Sequence, residues 1–160
     1  MDAAPEFDAP EGAAPGSGRR FELLAAEDDE QDVELLGLAL REAGGGVGLE
    51  TVGDGHAALA YLRGEGPYAG KPRPDLVLLD LNMPRMDGRA FLAARRGDSR
   101  LRAVPVVVLT TSDDARDVCD CYALGANCFI TKPAGFAAYR CVLRAILRFW
   151  SPAATLPARP

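Results

Sequence analysis

The chain has 160 residues, with 18 Lys and Arg against 23 Asp and Glu for a formal charge of −5, and 48% of its residues are apolar. That length suits one domain that buries a core without disulfide or metal staples, and a charged content of 26% is ordinary for a globular chain. The acidic balance gives no electrostatic footprint for nucleic acid or an anionic membrane, no apolar run reaches the roughly 18–20 residues of a membrane span, and the N-terminus lacks the basic-then-apolar order of a signal peptide, so a cytoplasmic protein with no direct nucleic-acid or membrane partner is expected.

Residues 1–20, rich in Ala, Pro, Gly and acids, have no apolar periodicity and are expected to be a flexible tail. Phe21 to Ala26 reads as a buried strand. From Asp32 to Ala43, Val33, Leu36 and Leu40 share one face with Leu35 and Ala39 alongside, which predicts an amphipathic helix ended by the glycines at 44–46. Leu49 to Val52 is a short strand and Gly55 to Arg63 a second helix. After a Gly/Pro-rich loop, Leu76 to Leu79 is a continuous apolar run closed by Asp80, the pattern of a strand buried on both faces of a parallel sheet. Gly88 to Arg96 predicts a third helix and Val104 to Leu109 another buried strand. Asp113 or Asp114 can cap a fourth helix to Leu124, stopped by Gly125. Cys128 to Ile130 is the fifth strand, and Phe136 to Phe149 the last helix, closed by Pro152 before a tail over 151–160.

Five alternations of strand and helix predict an α/β fold, a doubly wound five-stranded parallel sheet covered by helices on both faces. In such sheets the functional crevice lies beyond the carboxyl ends of the strands. The residues there are Glu27, Asp28 and Asp29 after the first strand, Asp80 after the third, Thr110 and Thr111 after the fourth, and Lys132 after the fifth. Carboxylates brought within about 4 Å repel by roughly 4 kcal/mol per pair at an effective dielectric near 20, so a cation must compensate. A carboxylate-rich oxygen set suits Mg²⁺. With a lysine ammonium and a threonine hydroxyl, that set can hold a transferring phosphoryl group, and Asp80 at the end of a rigid strand can act as the nucleophile. Singly, each residue has a plain structural explanation as a strand end or cap; jointly, all of these positions carry residues that one chemistry uses. The four cysteines (Cys119, Cys121, Cys128, Cys141) form no C-x-x-C pair and His56 is the only histidine, which excludes zinc fingers and histidine triads. The cysteines read as reduced thiols and His56 as an exposed structural residue.

The motifs LLAAEDD (23–29), DLVLLDLNMPRMDG (75–88), PVVVLTTS (105–112) and GANCFITKP (125–133) resemble those of the receiver domain of two-component response regulators over Phe21 to about Phe149. The resemblance implies a flavodoxin-like (βα)5 fold with strand order 2-1-3-4-5. It implies Asp80 as the phosphoacceptor and a metal ligand, Asp28 as a direct Mg²⁺ ligand, Glu27 acting through water, and Asn82 offering its backbone carbonyl. Thr110 would be the switch hydroxyl, Lys132 the lysine that pairs with the phosphoryl group, and Phe129 the switch aromatic. Asp29 falls outside this set, and the Lys132–Pro133 bond resembles one that is cis in the family. Within the family the chain looks like stand-alone response regulators paired with phytochrome kinases, which implies a histidine kinase partner, namely a bacteriophytochrome.

Two other functions share parts of this pattern. A phosphatase or phosphotransferase of the haloacid dehalogenase type also uses an aspartyl phosphate, but it needs a D-x-D pattern where this chain has Asp80-Leu81-Asn82. A dinucleotide site at AGGGVG (43–48) fails on spacing and lies between a helix and a strand instead of after a strand. A signalling switch rather than an enzyme is therefore expected, with a receiver over 21–150, no output domain after it, and output through protein contacts. Glu34, Leu35 and Leu38 on the first helix are candidate kinase contacts. Phe149 and Trp150 are candidate anchors for a homodimer through the C-terminal helix, with a core role equally open for Trp150.

Overall fold

The computed structural model describes residues 19–42 and 46–158. The predicted tail over 1–18 and the helix stop at Gly44 and Gly45 lie outside them. Five strands, β1 (Phe21–Ala26), β2 (Val47–Val52), β3 (Leu76–Leu79), β4 (Val106–Thr110) and β5 (Cys128–Thr131), alternate with α1 (Glu30–Glu42), α2 (Gly55–Arg63), α3 (Gly88–Gly97), α4 (Ala115–Ala123) and α5 (Phe136–Arg148). All strand pairs are parallel and the order is β2-β1-β3-β4-β5, as expected.

Side chains alternate across a strand, and the sheet divides its apolar residues into two cores. Leu24, Ala26, Val77, Leu79, Val106 and Val108 face α2, α3 and α4. Leu23, Ala25, Leu76, Leu78, Val107 and Leu109 face α1 and α5. Every residue of β3 and β4 is buried, which is why these strands read as unbroken apolar runs.

The element ends move where side chains or missing donors dictate. The first helix begins at Glu30, earlier than Asp32, because the Asp29 carboxylate accepts from the backbone N–H groups of Gln31 and Asp32 at 2.8 and 3.2 Å. The fourth strand starts at Val106, later than Val104, because the Val104 N–H turns back to the Leu101 carbonyl and Pro105 has no N–H for the ladder. Of the two candidate caps Asp114 is used, accepting from Arg116 N–H at 2.8 Å, and Gly125 with φ 92° turns the chain out of α4.

Both expected tails are partly built into the fold. Arg19 pairs with the buried Asp75, and the Arg20 guanidinium donates to the Val47 carbonyl at 3.1 Å. Pro152 does not close the last helix; it lies inside a π-helical turn, Phe149–Ala153, closed by the Ala154 N–H donating to the Phe149 carbonyl at 2.8 Å. Beyond it, Leu156 packs on the α1/α5 core, and Leu156, Pro157 and Ala158 border a crevice with Pro74, Asp75, Val104 and Pro105 at the N-terminal edge of the sheet. Trp150 packs on the same core while Phe149 is 57% exposed. Cys121 is buried, but Cys119 and Cys141 are exposed, so only part of the cysteine set serves as core. Among the described residues, no helix is long and apolar enough to cross a membrane.

Arg95 of α3 is 3% exposed and has no carboxylate partner among the described residues. Its guanidinium donates to the carbonyls of Gly125, Arg102 and Val104 at 3.2, 2.9 and 2.5 Å, tying α3 to the turns before β4 and β5. Removing it would leave those carbonyls short of donors and open a void. Arg95→Ala is therefore expected to cost about 2–4 kcal/mol, read as a lower urea midpoint at unchanged slope.

Candidate functional site

Three backbone hydrogen bonds bring the post-strand residues together. The ladder runs one residue beyond the strands, with Asp80 N–H donating to the Ala26 carbonyl at 2.9 Å, Glu27 N–H to Val52 at 2.9 Å, and Lys132 N–H to Thr110 at 2.7 Å. As a result one carboxylate oxygen each from Glu27, Asp28 and Asp80 lies within 4.8 Å of the others. Asp28 is exposed and Asp80 is 9% exposed. Asp80 Oδ1 is buried with no hydrogen-bond partner among the described residues. Asp29 stands apart as the cap of α1.

Lys132 crosses from the far side of the crevice. Its Nζ donates to Glu27 Oε2 and to Asp32 Oδ2, both at 2.6 Å, with the lysine side chain only 7% exposed. Burial by itself would lower the lysine pKa, but hydrogen bonds to Asp32 and Glu27 and the charges of Glu27 and Asp80 raise it, so the group stays a cation. Burial raises the Glu27 carboxyl; Lys132 and the Asp29 N–H pull it down, and the charge of Asp80 pushes it up again. Tyr139 of α5 lines a cavity of about 10 Å³ with Glu27, Asp32 and Asp80. Burial pushes its hydroxyl up to about 12, against the charge of Lys132 and with those of the carboxylates. An open depression bordered by Glu27, Asp28, Thr51, Pro84 and Arg85 gives access from outside.

The loop after β3 carries Asn82, which is exposed. Arg85 adopts φ 63° in this loop and donates to Asp54 at 2.5 Å; Asp54 also caps α2 through Ala57 N–H at 2.8 Å. Gly55 N–H donates to the Met86 carbonyl and Gly88 N–H to Leu81, both at 2.9 Å. Thr110 is fully buried, with Ser112 N–H 3.5 Å from its hydroxyl. Ser112 in turn donates to Asp117 at 2.6 Å, and Arg89 pairs with the same carboxylate, which fixes the segment after β4 between α3 and α4. Phe129 is half-buried against the α2/α3/α4 core, and its N–H donates to the Tyr122 hydroxyl at 3.2 Å. The Lys132–Pro133 bond is trans, where the resemblance implied cis; the chain turns into α5 at Gly135, whose φ is 87°. His56 is exposed in the first turn of α2.

The donor set fits a hard divalent cation. All three groups offer carboxylate oxygen, one of those residues carries a buried oxygen without a partner, and the cluster is open on one side. Residues 23–143 match the family model for the response regulator receiver domain. The chain belongs to this family. It is similar to the response regulator Rcp1 of Synechocystis sp., with 40% identity over 136 residues covering 85% of this receiver chain and 92% of that protein. A phosphorylated cyanobacterial phytochrome response regulator, RcpA, superposes with a TM-score of 0.83 at 42% identity, covering 87% of this chain and 99% of that one. The Mn²⁺-bound form of Rcp1 superposes with a TM-score of 0.80 at 39% identity, covering 86% and 99%.

Sequence reasoning missed Asp32, although a carboxylate four residues, about one helical turn, beyond Asp28 was a signal for it. It also missed Tyr139 and the Arg89–Asp117–Ser112 chain, which join residues remote in sequence. Among the described glycines of the receiver, Gly88 meets the closest backbone: an added Cβ would lie 2.5 Å from the Asp80 carbonyl oxygen and 2.8 Å from Leu81 Cα. In a helix Ala is ordinarily favoured over Gly by about 0.5–1 kcal/mol. Here the backbone collision outweighs that gain, so Gly88→Ala is expected to lower stability by about 1–3 kcal/mol, measured as a fall in thermal midpoint.

Proposed function

We propose that residues 21–150 form a cytoplasmic switch that accepts a phosphoryl group on Asp80 from a histidine kinase and relays the signal by protein contacts. The observation that carries this reading is the Asp80 carboxylate, held at the end of a buried strand with one oxygen unpartnered and Glu27, Asp28 and Lys132 gathered round it. In the transfer an Asp80 oxygen attacks phosphorus, the bond from phosphorus to the donor's imidazole nitrogen breaks, and the electron pair leaves with the imidazole. Attack by water on the acyl phosphate later returns the carboxylate and inorganic phosphate. Asp28, Asp80, the Asn82 carbonyl and Glu27 would hold Mg²⁺. The ion, when bound, offsets the negative charge of the acids and of the phosphoryl oxygens. Lys132 grips a phosphoryl oxygen, and Thr110 donates its hydroxyl, with Phe129 repacking as the threonine moves.

Similarity to RcpA, a phytochrome response regulator, supports a phytochrome-type histidine kinase as the partner. Of the three candidate contacts on α1, Glu34 and Leu38 are exposed and are the residues it would meet, whereas Leu35 is half-buried against the α1/α5 core. The Asp80-Leu81-Asn82 sequence disfavours the dehalogenase-type alternative. Asp80→Asn should abolish labelling by acetyl phosphate, and EDTA should abolish it in the unaltered chain. A phosphoryl adduct found by mass spectrometry on another carboxylate, or undiminished labelling in EDTA, would overturn the assignment.

A homodimer through the C-terminal helix region is supported by Phe149, which is 57% exposed and stacks edge-on against Trp150 at 5.2 Å. Because Trp150 and Leu156 serve the core, a point change is a cleaner probe than truncation. Phe149→Ala should shift a sedimenting dimer toward monomer without changing the thermal midpoint, and an unmoved sedimentation profile would place the interface elsewhere.

A further inference from the structure

We propose that Asp32 is a positioning residue that parks the Lys132 ammonium away from Asp80 until a phosphoryl group arrives. The proposal rests on Asp80 being the acceptor. Lys132 has three N–H donors, and two are spent at 2.6 Å on Glu27 and Asp32, while Asp80 Oδ1 has no hydrogen-bond partner among the described residues. Both contacts are charge-assisted and share the buried Lys132 end, 7% exposed; the pair with Glu27, 9% exposed, is shielded from solvent on both sides, and the pair with Asp32 on the lysine side. The two carboxylates are not equivalent. Glu27 belongs to the acidic cluster with Asp28 and Asp80, whereas Asp32 stands outside it, on the first turn of α1 with its side chain 28% exposed. Asp32 is therefore the partner that Lys132 can surrender without disturbing the metal donors.

A phosphoryl group on Asp80 brings more negative charge than the single carboxylate it replaces as partner for the ammonium. Lys132 then trades the Asp32 contact for a phosphoryl oxygen, and Asp32 swings to water. The trade is an exchange of hydrogen bonds in which no covalent bond changes. Asp32 thereby competes with the phosphorylated state, setting how readily the site is filled but not whether it can be.

The test uses the full chain and beryllofluoride, a stable stand-in for the phosphoryl group, in excess Mg²⁺. In Asp32→Asn the apparent affinity for beryllofluoride and the rate of labelling by acetyl phosphate should both rise about three- to tenfold, the effect of removing one charge-assisted competitor. Mg²⁺ affinity in the absence of beryllofluoride should stay within about twofold, since the donor set is unchanged. Asp32→Glu, which keeps the competing charge, should restore the wild-type values. Equal or weaker beryllofluoride binding by Asp32→Asn, with wild-type binding intact, overturns the parking role. A wild-type chain that binds no beryllofluoride and takes no phosphoryl group overturns the acceptor reading itself and the proposal with it.

Discussion

The register of the parallel sheet governs everything at this protein's functional edge. Hydrogen bonds from Asp80, Glu27 and Lys132 to the carbonyls of Ala26, Val52 and Thr110 extend the ladder by one residue past the strands. Acids separated by more than fifty positions and a lysine a further fifty along are delivered to one crevice by backbone geometry alone. A slip of one residue would send each side chain to the opposite face and into one of the two cores. The apolar burial of β3 and β4 is what forbids that slip, so the interior and the acidic cluster are specified by the same pairing.

Bringing carboxylates together is unfavourable, and the fold offsets it with a single buried ammonium. Lys132 cannot satisfy all of them, since its two short contacts go to Glu27 and Asp32 and leave an Asp80 oxygen bare. That residual imbalance is what a divalent cation or a phosphoryl group would relieve. The surrounding loops are braced so that the crevice keeps its shape. Arg85 with Asp54, and Gly55 with Met86, fasten the segment after β3, while Ser112, Asp117 and Arg89 fasten the segment after β4.

The architecture was legible because each buried strand is a run of apolar residues ending in a polar one. Leu76–Leu79 followed by Asp80 is the clearest instance. The acidic pair, Asp80, Thr110 and Lys132 could be nominated from their position after strands. What escaped were side chains whose meaning depends on a partner distant in sequence. Asp32 reads as an ordinary helix-start acid until Lys132, a hundred positions on, reaches it. Arg95 draws no notice in the sequence because nothing local shows the three carbonyls that its guanidinium meets. Leu156, isolated in an Ala/Pro-rich stretch, has no periodic neighbours to mark it as core. Backbone detail was least accessible, as with the trans Lys132–Pro133 bond, since either isomer of such a bond lies within about 1 kcal/mol.

The docking of Arg19 and of Leu156 to Ala158 around Asp75 puts the first and last described stretches beside each other, on the edge of the sheet opposite the acidic crevice. Entry and exit points that meet make a domain a transplantable cassette. It could be spliced into a surface loop of another protein without stretching either junction. The crevice would then face outward from its host, still open to whatever donor approaches it.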